Sequence, residues 1–215
     1  VVEILDMDAK YYDLSKVDPN NKLQDKDVYV AAGKPILFKA LGADNKGEEK
    51  YFGHCVTVRS ESSLLVKDGV LKTKGDVNVE AGAEFTADVK YTAEKTEVEI
   101  GGNLNNEGTT NHQANKMTVT EDLNNATDAE FISDQTFNVV GNVLTSGTFD
   151  SNGSPNTVGG NFTQKAGEVT FANQTTTDIA GQFSCEAGIF TRVNVGSLGV
   201  LTGTNNGGWP TVKIQ

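Results

Sequence analysis

The sequence contains few of the residues that most catalytic and nucleic-acid-binding sites use. It has two histidines, two cysteines and two arginines (Arg59 and Arg192), and its net charge is −11. Without a basic stripe to meet a phosphate backbone, nucleic acid is excluded as a partner. No segment approaches the roughly 18 uninterrupted apolar residues of a membrane span, so no membrane span is predicted.

A repeat of about twenty residues runs through the C-terminal part of the chain. Each repeat begins with an apolar position, called the anchor below, which is followed four or five residues later by Gly or Thr and then by two further short apolar segments. Successive anchors are 27, 19, 20, 19 and 21 residues apart, so the first spacing predicts one turn with a longer loop. The anchors are Val77, Leu104, Leu123, Val143, Phe162 and Phe183.

This repeat predicts an all-β fold, a single right-handed parallel β-helix with about 20 residues and three strands per turn. The third apolar segment alternates as a strand does, for example at 98–100 and 137–139. One turn cannot bury its apolar face alone, whereas turns stacked about 4.8 Å apart align the anchors into a continuous core column. A right-handed helix is favoured because the strict hexapeptide rhythm of left-handed β-helices is missing.

The domain organisation follows from where the repeat is regular. Residues 1–26 are predicted to form an N-terminal cap, because an uncovered solenoid end exposes an unpaired strand edge. Residues 27–215 are predicted to form the β-helix, which is most regular over 75–203. Trp209 lies in a segment that is predicted to cover the C-terminal end.

The residue before each anchor is Asp, Asn or Gln. Asn and Asp adopt the left-handed backbone of tight corners, and stacked amides hydrogen-bond from turn to turn. A structural corner ladder is therefore predicted, and a row of metal-binding aspartates is the alternative. The residues are Asp76, Asn103, Asp122, Asn142, Asn161 and Gln182.

The cysteines and histidines do not form a catalytic or metal-binding motif that can be recognised from the sequence. Cys55 and Cys185 are 130 positions apart, on turns too distant for the roughly 4.4–6.8 Å Cα separation of a disulfide, so two free thiols are expected. His54 stands beside Cys55, a pair that suggests nucleophilic catalysis or zinc binding. Adjacent residues in a strand point to opposite faces, so these two side chains are predicted not to act together readily. His112 is predicted to be solvated, and no catalytic, cofactor-binding or metal-binding residue is assigned.

Acidic residues near the N-terminus keep calcium open as an alternative cofactor, although none is assigned. They are Asp6 and Asp8, followed by Asp18, Asp25 and Asp27. The glycine and the distal glutamate of a calcium-binding loop are missing, and so is the glycine-rich nonapeptide of calcium-binding β-rolls. Solvated cap charges are the preferred interpretation.

The strings GNLNNEGT (102–109), GNVLTSGT (141–148) and GNFTQKAG (160–167) resemble those of secreted bacterial right-handed β-helix proteins. The likeness is to adhesins of the filamentous-haemagglutinin and autotransporter-passenger type, and it covers about residues 75–203. The resemblance implies an extracellular or bacterial cell-surface protein that acts in adhesion, in glycan binding or as a structural stalk. Its partner would be a polysaccharide or a ligand on a host cell. No functional residue and no oligomeric state carries over.

An enzyme of the same fold, a polysaccharide lyase or a glycoside hydrolase, is the alternative function. Such enzymes converge acidic residues with Arg, Lys or His on one face, and the sequence contains no such cluster. If the chain is an enzyme, its site is expected in the irregular region 28–74, among Lys50, His54, Arg59 and Glu61. A scaffold that assembles end to end through open strand edges is a third interpretation.

Overall fold

The structure is a computed structural model that describes residues 2–4, 12–13, 18, 20–33, 35–40, 47–88, 96–153, 155–172, 176–192, 200–205 and 212–214. These residues form parallel strands, and the one helix among them is a single 3-10 turn at Lys22–Asp25. Short segments rich in Val, Phe and Thr, interrupted every few residues by Gly or a polar corner, favour short strands over helices. No helix in this part of the chain is long and apolar enough to cross a membrane.

Three parallel sheets form the walls of a solenoid, and most turns contribute one strand to each sheet. The first sheet contains Val2–Ile4, Val28–Val30, Val56–Val58, Val77–Val79, Leu104–Asn106, Leu123–Asn125, Val143–Thr145, Phe162–Gln164 and the end of Thr176–Cys185. The second sheet contains Tyr12–Asp13, Pro35–Lys39, the start of Ser63–Thr73, Glu84–Asp88, Thr109–Gln113, Glu130–Ser133, Thr148–Ser151, Glu168–Phe171, Ile189–Arg192 and Val212–Ile214. The third sheet contains Glu49–Gly53, the end of Ser63–Thr73, Thr96–Ile100, Lys116–Val119, Thr136–Val139, Asn156–Val158, the start of Thr176–Cys185 and the start of Val200–Asn205. The last residues of Val200–Asn205 pair with the end of Thr176–Cys185 and so continue the first sheet.

The turn length confirms the predicted parallel β-solenoid. From Leu64 to Phe190 the second sheet takes six steps over 126 residues, so a turn averages about 21 residues. The predicted longer turn lies between Val77 and Leu104, which are direct register partners. In this turn seven residues, 89–95, separate the strands Glu84–Asp88 and Thr96–Ile100 in the sequence, and they lie outside the described residues.

The interior is the predicted column of apolar side chains. The anchors from Val77 to Phe183 pair in register from turn to turn, and each is at most 2% exposed. Rings from the second sheet complete this core, because Phe131 stacks on Phe149 at 4.8 Å between centroids and Phe149 meets Phe162 edge to face at 5.2 Å. Full burial of such a side chain stabilises the fold by about 1.5–3 kcal/mol.

The parallel ladders extend into the segment that was predicted to be a cap. Val2–Ile4 pairs with the first-sheet strand Val28–Val30, and Tyr12–Asp13 pairs with the second-sheet strand Pro35–Lys39. At the other end, Val212–Ile214 joins the second sheet, whereas Trp209 lies outside the described residues.

Candidate functional site

The corner between the third and first sheets carries the predicted ladder. Asp76 Oδ1 accepts hydrogen bonds from the backbone N–H of Asn103 at 2.7 Å and from its Nδ2 at 3.1 Å. Farther along, Asn161 Oδ1 accepts the backbone N–H of Gln182 at 2.8 Å. Each side chain thus binds the N–H of its counterpart one turn later, which confirms the predicted bonding from turn to turn. The left-handed backbone expected at these positions is wrong, because none of the ladder residues has a positive φ. The same contact joins Asn103 to Asp122, Asp122 to Asn142 and Asn142 to Asn161.

A second polar ladder lies inside the solenoid, two residues after the anchors. Asn106 Nδ2 donates to Asn125 Oδ1 at 2.8 Å, and Asn125 Nδ2 donates to Thr145 Oγ1 at 3.1 Å and to the carbonyl of Thr148 at 2.8 Å. This ladder supplies donors to backbone groups at the corner between the first and second sheets. The sequence analysis missed it, although alternation along the strand from Leu104 already places Asn106 inward.

The corner between the third and first sheets also brings together Asp27, His54 and Cys55. Cys55 Sγ lies 3.4 Å from His54 Nδ1, and His54 Nδ1 lies 3.6 Å from Asp27 Oδ1. The three ligand atoms all lie within 4.8 Å of one another, and no other such group of three occurs in the described part of the chain. The prediction that His54 and Cys55 cannot act together is wrong, because they occupy a bend after the strand Glu49–Gly53 and not the strand itself.

Cys55 occupies a position of the corner ladder. Asp27, Cys55 and Asp76 each directly precede a first-sheet strand, and the backbone N–H of Cys55 points to Asp27 Oδ1 at 3.4 Å. His54 has Gly75 as its counterpart one turn later, and the N–H of Gly75 donates to the His54 carbonyl at 2.7 Å. A Cβ at Gly75 would stand 2.8 Å from Cys55 Sγ and 3.3 Å from His54 Cε1, so a larger residue there would displace the Cys55 side chain from its present position.

The electrostatics of this cluster favour a cation over a free thiolate. Burial raises the pKa of the Cys55 thiol, and the carboxylates of Asp27 and Asp76 raise it further, while a hydrogen bond from the Asp76 backbone opposes them. The cluster is open on one side, since the His54 and Asp27 side chains are 52% and 48% exposed. A sulfur, a nitrogen and an oxygen donor therefore converge at a solvent-accessible corner.

The residues that were expected to form the site of an enzyme do not lie on one face of the solenoid. Lys50 is buried in the third sheet, whereas Arg59 and the exposed Glu61 lie at the corner between the first and second sheets. The strand Val56–Val58 separates that corner from His54, so five residues at about 3.3 Å each place them up to ~16 Å apart.

The acidic residues that were considered as calcium ligands make separate contacts and do not form one site in the described part of the chain. The two carboxylate oxygens of Asp18 accept the backbone N–H groups of Lys22 and Leu23 at 2.8 and 2.7 Å. Asp25 forms an ion pair with Lys74 at 2.7 Å. Asp27 belongs to the cluster with His54, and Asp6 and Asp8 lie outside the described residues.

His112 is buried, so the prediction that it is solvated is wrong. It lies in the second-sheet strand Thr109–Gln113, whose alternation directs it inward, and its Nε2 lies 2.8 Å from the carbonyl oxygen of Thr136. Burial lowers its pKa from 6.5 to about 4. Its Nδ1 is buried without a hydrogen-bond partner. The imidazole is therefore a neutral part of the core.

The outer face of the first sheet carries a shallow groove lined by a third row of amides. Asn105 Nδ2 donates to Asn78 Oδ1, and Asn124 Nδ2 donates to Asn105 Oδ1, both at 2.9 Å. Two adjoining depressions of about 360 and 250 Å³ share Asn105 and Glu107. Tyr29 lines the groove toward the N-terminus. Polar residues at outward positions resemble any solvated surface, which is why the sequence did not single out this groove.

Comparison of the chain with protein-family models, with curated proteins and with solved structures gives no match. The function proposed below therefore rests on the composition, the repeat and the geometry of the described residues.

Proposed function

We propose that this chain is a non-catalytic, exported β-solenoid that binds a neutral polysaccharide along the outer face of its first sheet. The observation that carries the proposal is the outward row of Asn78, Asn105 and Asn124, hydrogen-bonded to one another along one groove. Support for export comes from the acidic, Asn-, Thr- and Gly-rich composition and from the resemblance of the repeats to bacterial adhesins.

The amide row leaves hydrogen-bonding capacity for a ligand. Each Asn Nδ2 carries two N–H groups, and the ladder uses one of them, so a donor remains on Asn105 and on Asn124. These donors repeat at the rung spacing of about 4.8 Å, which suits a polymer with hydroxyl groups at regular intervals. Tyr29, whose ring lies 4.7 Å from the Arg59 guanidinium, adds an aromatic surface at one end of the groove.

Charge favours a neutral polymer over an acidic one. Glu80 and Glu107 line the groove, and the whole chain has a net charge of −11. The field of these carboxylates repels uronic acids and sulfated sugars, whereas neutral hydroxyl groups are accepted. The dispersion of Lys50, His54, Arg59 and Glu61 over separate sites supports binding without turnover.

The proposal is tested by affinity electrophoresis and calorimetry against a panel of neutral and acidic polysaccharides. Replacing Asn105 and Asn124 by Ala should weaken binding of the neutral ligand by about 10- to 30-fold, because two hydrogen bonds of about 1 kcal/mol each are lost. The matched control is Asn138→Ala, an outward amide on the third sheet that accepts a hydrogen bond from Thr157 one turn later.

The control variant should bind as the unmodified protein does, and no new reducing ends or unsaturated products should accumulate. Failure of every neutral polysaccharide to bind, or an equal loss in Asn138→Ala, would remove the groove as the binding site. Turnover of a polysaccharide would instead establish the enzyme alternative.

A further inference from the structure

We propose that Asp27, His54 and Cys55 form a binding site for one divalent transition-metal ion of the zinc type. The proposal goes beyond polysaccharide binding and does not depend on it, because the cluster lies at a corner of the solenoid and outside the amide groove.

The two separations that involve His54 match edges of a zinc coordination tetrahedron. Bond lengths of about 2.3 Å to sulfur and 2.0–2.2 Å to nitrogen and oxygen place neighbouring ligands about 3.3–3.6 Å apart in a tetrahedron. The Cys55 Sγ–His54 Nδ1 distance is 3.4 Å, and the His54 Nδ1–Asp27 Oδ1 distance is 3.6 Å. An ion can therefore bind His54 together with either neighbour at the present separations, and all three ligand atoms lie within 4.8 Å of one another.

The direction of the contacts separates metal binding from nucleophilic catalysis. A Cys–His–Asp proton relay uses both ring nitrogens, one toward the thiol and the other toward the carboxylate. Here the sulfur and the carboxylate oxygen both approach the same atom, His54 Nδ1. Three donors that converge on one region of space are suited to sharing a cation and not to passing a proton.

The charge and the shape of the corner also fit a divalent ion. The Asp27 carboxylate and the Cys55 thiolate together balance a charge of +2, and the thiol proton leaves to solvent as the ion binds. Gly75 provides the space beside both side chains, since any Cβ there would approach Cys55 Sγ to 2.8 Å. The exposed side of the cluster leaves the fourth position to water.

The donor set selects the class of metal. Calcium takes six to eight oxygen ligands, whereas this cluster offers one sulfur, one nitrogen and one oxygen. Thiolate and imidazole are the ligands of zinc and of its spectroscopic substitute, cobalt(II). Because Asp27 lies one turn before Cys55, the ion would also join two successive turns of the solenoid.

The test is a titration of the purified, metal-free protein with Co²⁺, followed by displacement with Zn²⁺. A thiolate-to-cobalt charge-transfer band should saturate at one equivalent and disappear when Zn²⁺ is added. The band should be absent from Cys55→Ser. It should remain in Cys185→Ser, because Cys185 is buried and donates to Gln164 Oε1 instead.

Zn²⁺ affinity, measured by competition with a chelating dye, should fall more than about tenfold in His54→Gln and in Asp27→Asn, since even outer-shell partners of a metal ligand are worth that much. Saturating Zn²⁺ should also slow alkylation of Cys55 by iodoacetamide. Circular dichroism in the presence of a chelator checks that each variant is folded.

Absence of the cobalt band in the folded wild-type protein would overturn the proposal. A band that survives in Cys55→Ser, or unchanged Zn²⁺ affinity in His54→Gln, would do the same. None of these results bears on polysaccharide binding, because the variants leave the outer face of the first sheet intact.

Discussion

The inner amide ladder predicts that two neighbouring residues of the same type contribute differently to stability. Asn124 and Asn125 lie in the same strand, but Asn124 faces the outer groove and Asn125 is 2% exposed in the interior. The substitutions Asn125→Ala and Asn124→Ala remove the same atoms from adjacent positions. The unfolded chains of the two variants are nearly equivalent, so a difference in stability reports on the folded state.

The magnitude follows from the contacts. Asn125→Ala removes two fully buried hydrogen bonds, from Asn106 and to Thr145 Oγ1, and a partly buried one to the Thr148 carbonyl. Each buried group left without a partner costs about 1–3 kcal/mol, so we expect a loss of about 3–5 kcal/mol. Asn124→Ala removes one half-buried hydrogen bond that water replaces, which should cost less than about 1 kcal/mol.

The assay is urea unfolding followed by circular dichroism, with Asn125→Val as a third variant. Valine occupies this ladder position in three earlier turns, at Val30, Val58 and Val79, so it fills the volume without restoring the hydrogen bonds. The loss of stability in Asn125→Val should lie between the losses in Asn124→Ala and Asn125→Ala. If Asn124→Ala and Asn125→Ala unfold within about 1 kcal/mol of each other, the inward direction of the ladder is wrong.

Three further predictions concern the core, the buried histidine and the corners. Leu123→Asp should cost at least about 4 kcal/mol, because it buries an unpaired charge, and a melting temperature equal to that of the wild type would refute the register. The pKa of His112 is lowered to about 4, so the unfolded chain binds more protons between pH 4 and 6.5. Stability should therefore fall as pH drops through this window, by on the order of 2 kcal/mol at pH 4.5, and melts of His112→Ser should lack this component. Gly82→Ala should lower the free energy of unfolding by about 1–2 kcal/mol, because alanine disfavours the left-handed backbone at this position. In Gly167→Ala the new Cβ would also stand 2.2 Å from the Gly147 carbonyl oxygen, which should lower the stability by about 1–3 kcal/mol more. Thermal melting of the two variants measures the difference.

The stacking of the turns could be predicted because the sequence repeats it. Leu104, Leu123 and Val143 recur at nearly constant spacing, and in a solenoid that spacing fixes which residues become register partners. The longer turn was predictable for the same reason. The corner ladder was predictable because Asp and Asn recur at one position of the repeat, and side chains stacked in this way hydrogen-bond from turn to turn.

The inward polar residues and the metal cluster were not predictable by the same reasoning. His112 and Asn125 look like surface residues by type, and only strict alternation from a known inward neighbour places them inside. The contact between His54 and Cys55 depends on a bend whose location cannot be read from the sequence. Asp27 lies 27 residues before His54 and is brought next to it by the stacking of successive turns. Recognising that Cys55 precedes the strand Val56–Val58 as Asp76 precedes Val77–Val79 would have placed it at a corner.

Because Cys55 and Asp76 occupy equivalent corner positions, one substitution at Cys55 should abolish metal binding without lowering stability. At Cys55 a thiol, which is a weak acceptor, stands where the regular turns have an amide or carboxylate oxygen that binds the next backbone N–H. Cys55→Asn should therefore continue the ladder toward Asp76 and leave the melting temperature, measured with a chelator, equal to or above that of the wild type. The same variant should lose the cobalt band. A variant that melts several degrees lower in the chelator would show that the thiol itself stabilises this corner, and the argument that Cys55 is present for its metal-binding chemistry would then fail.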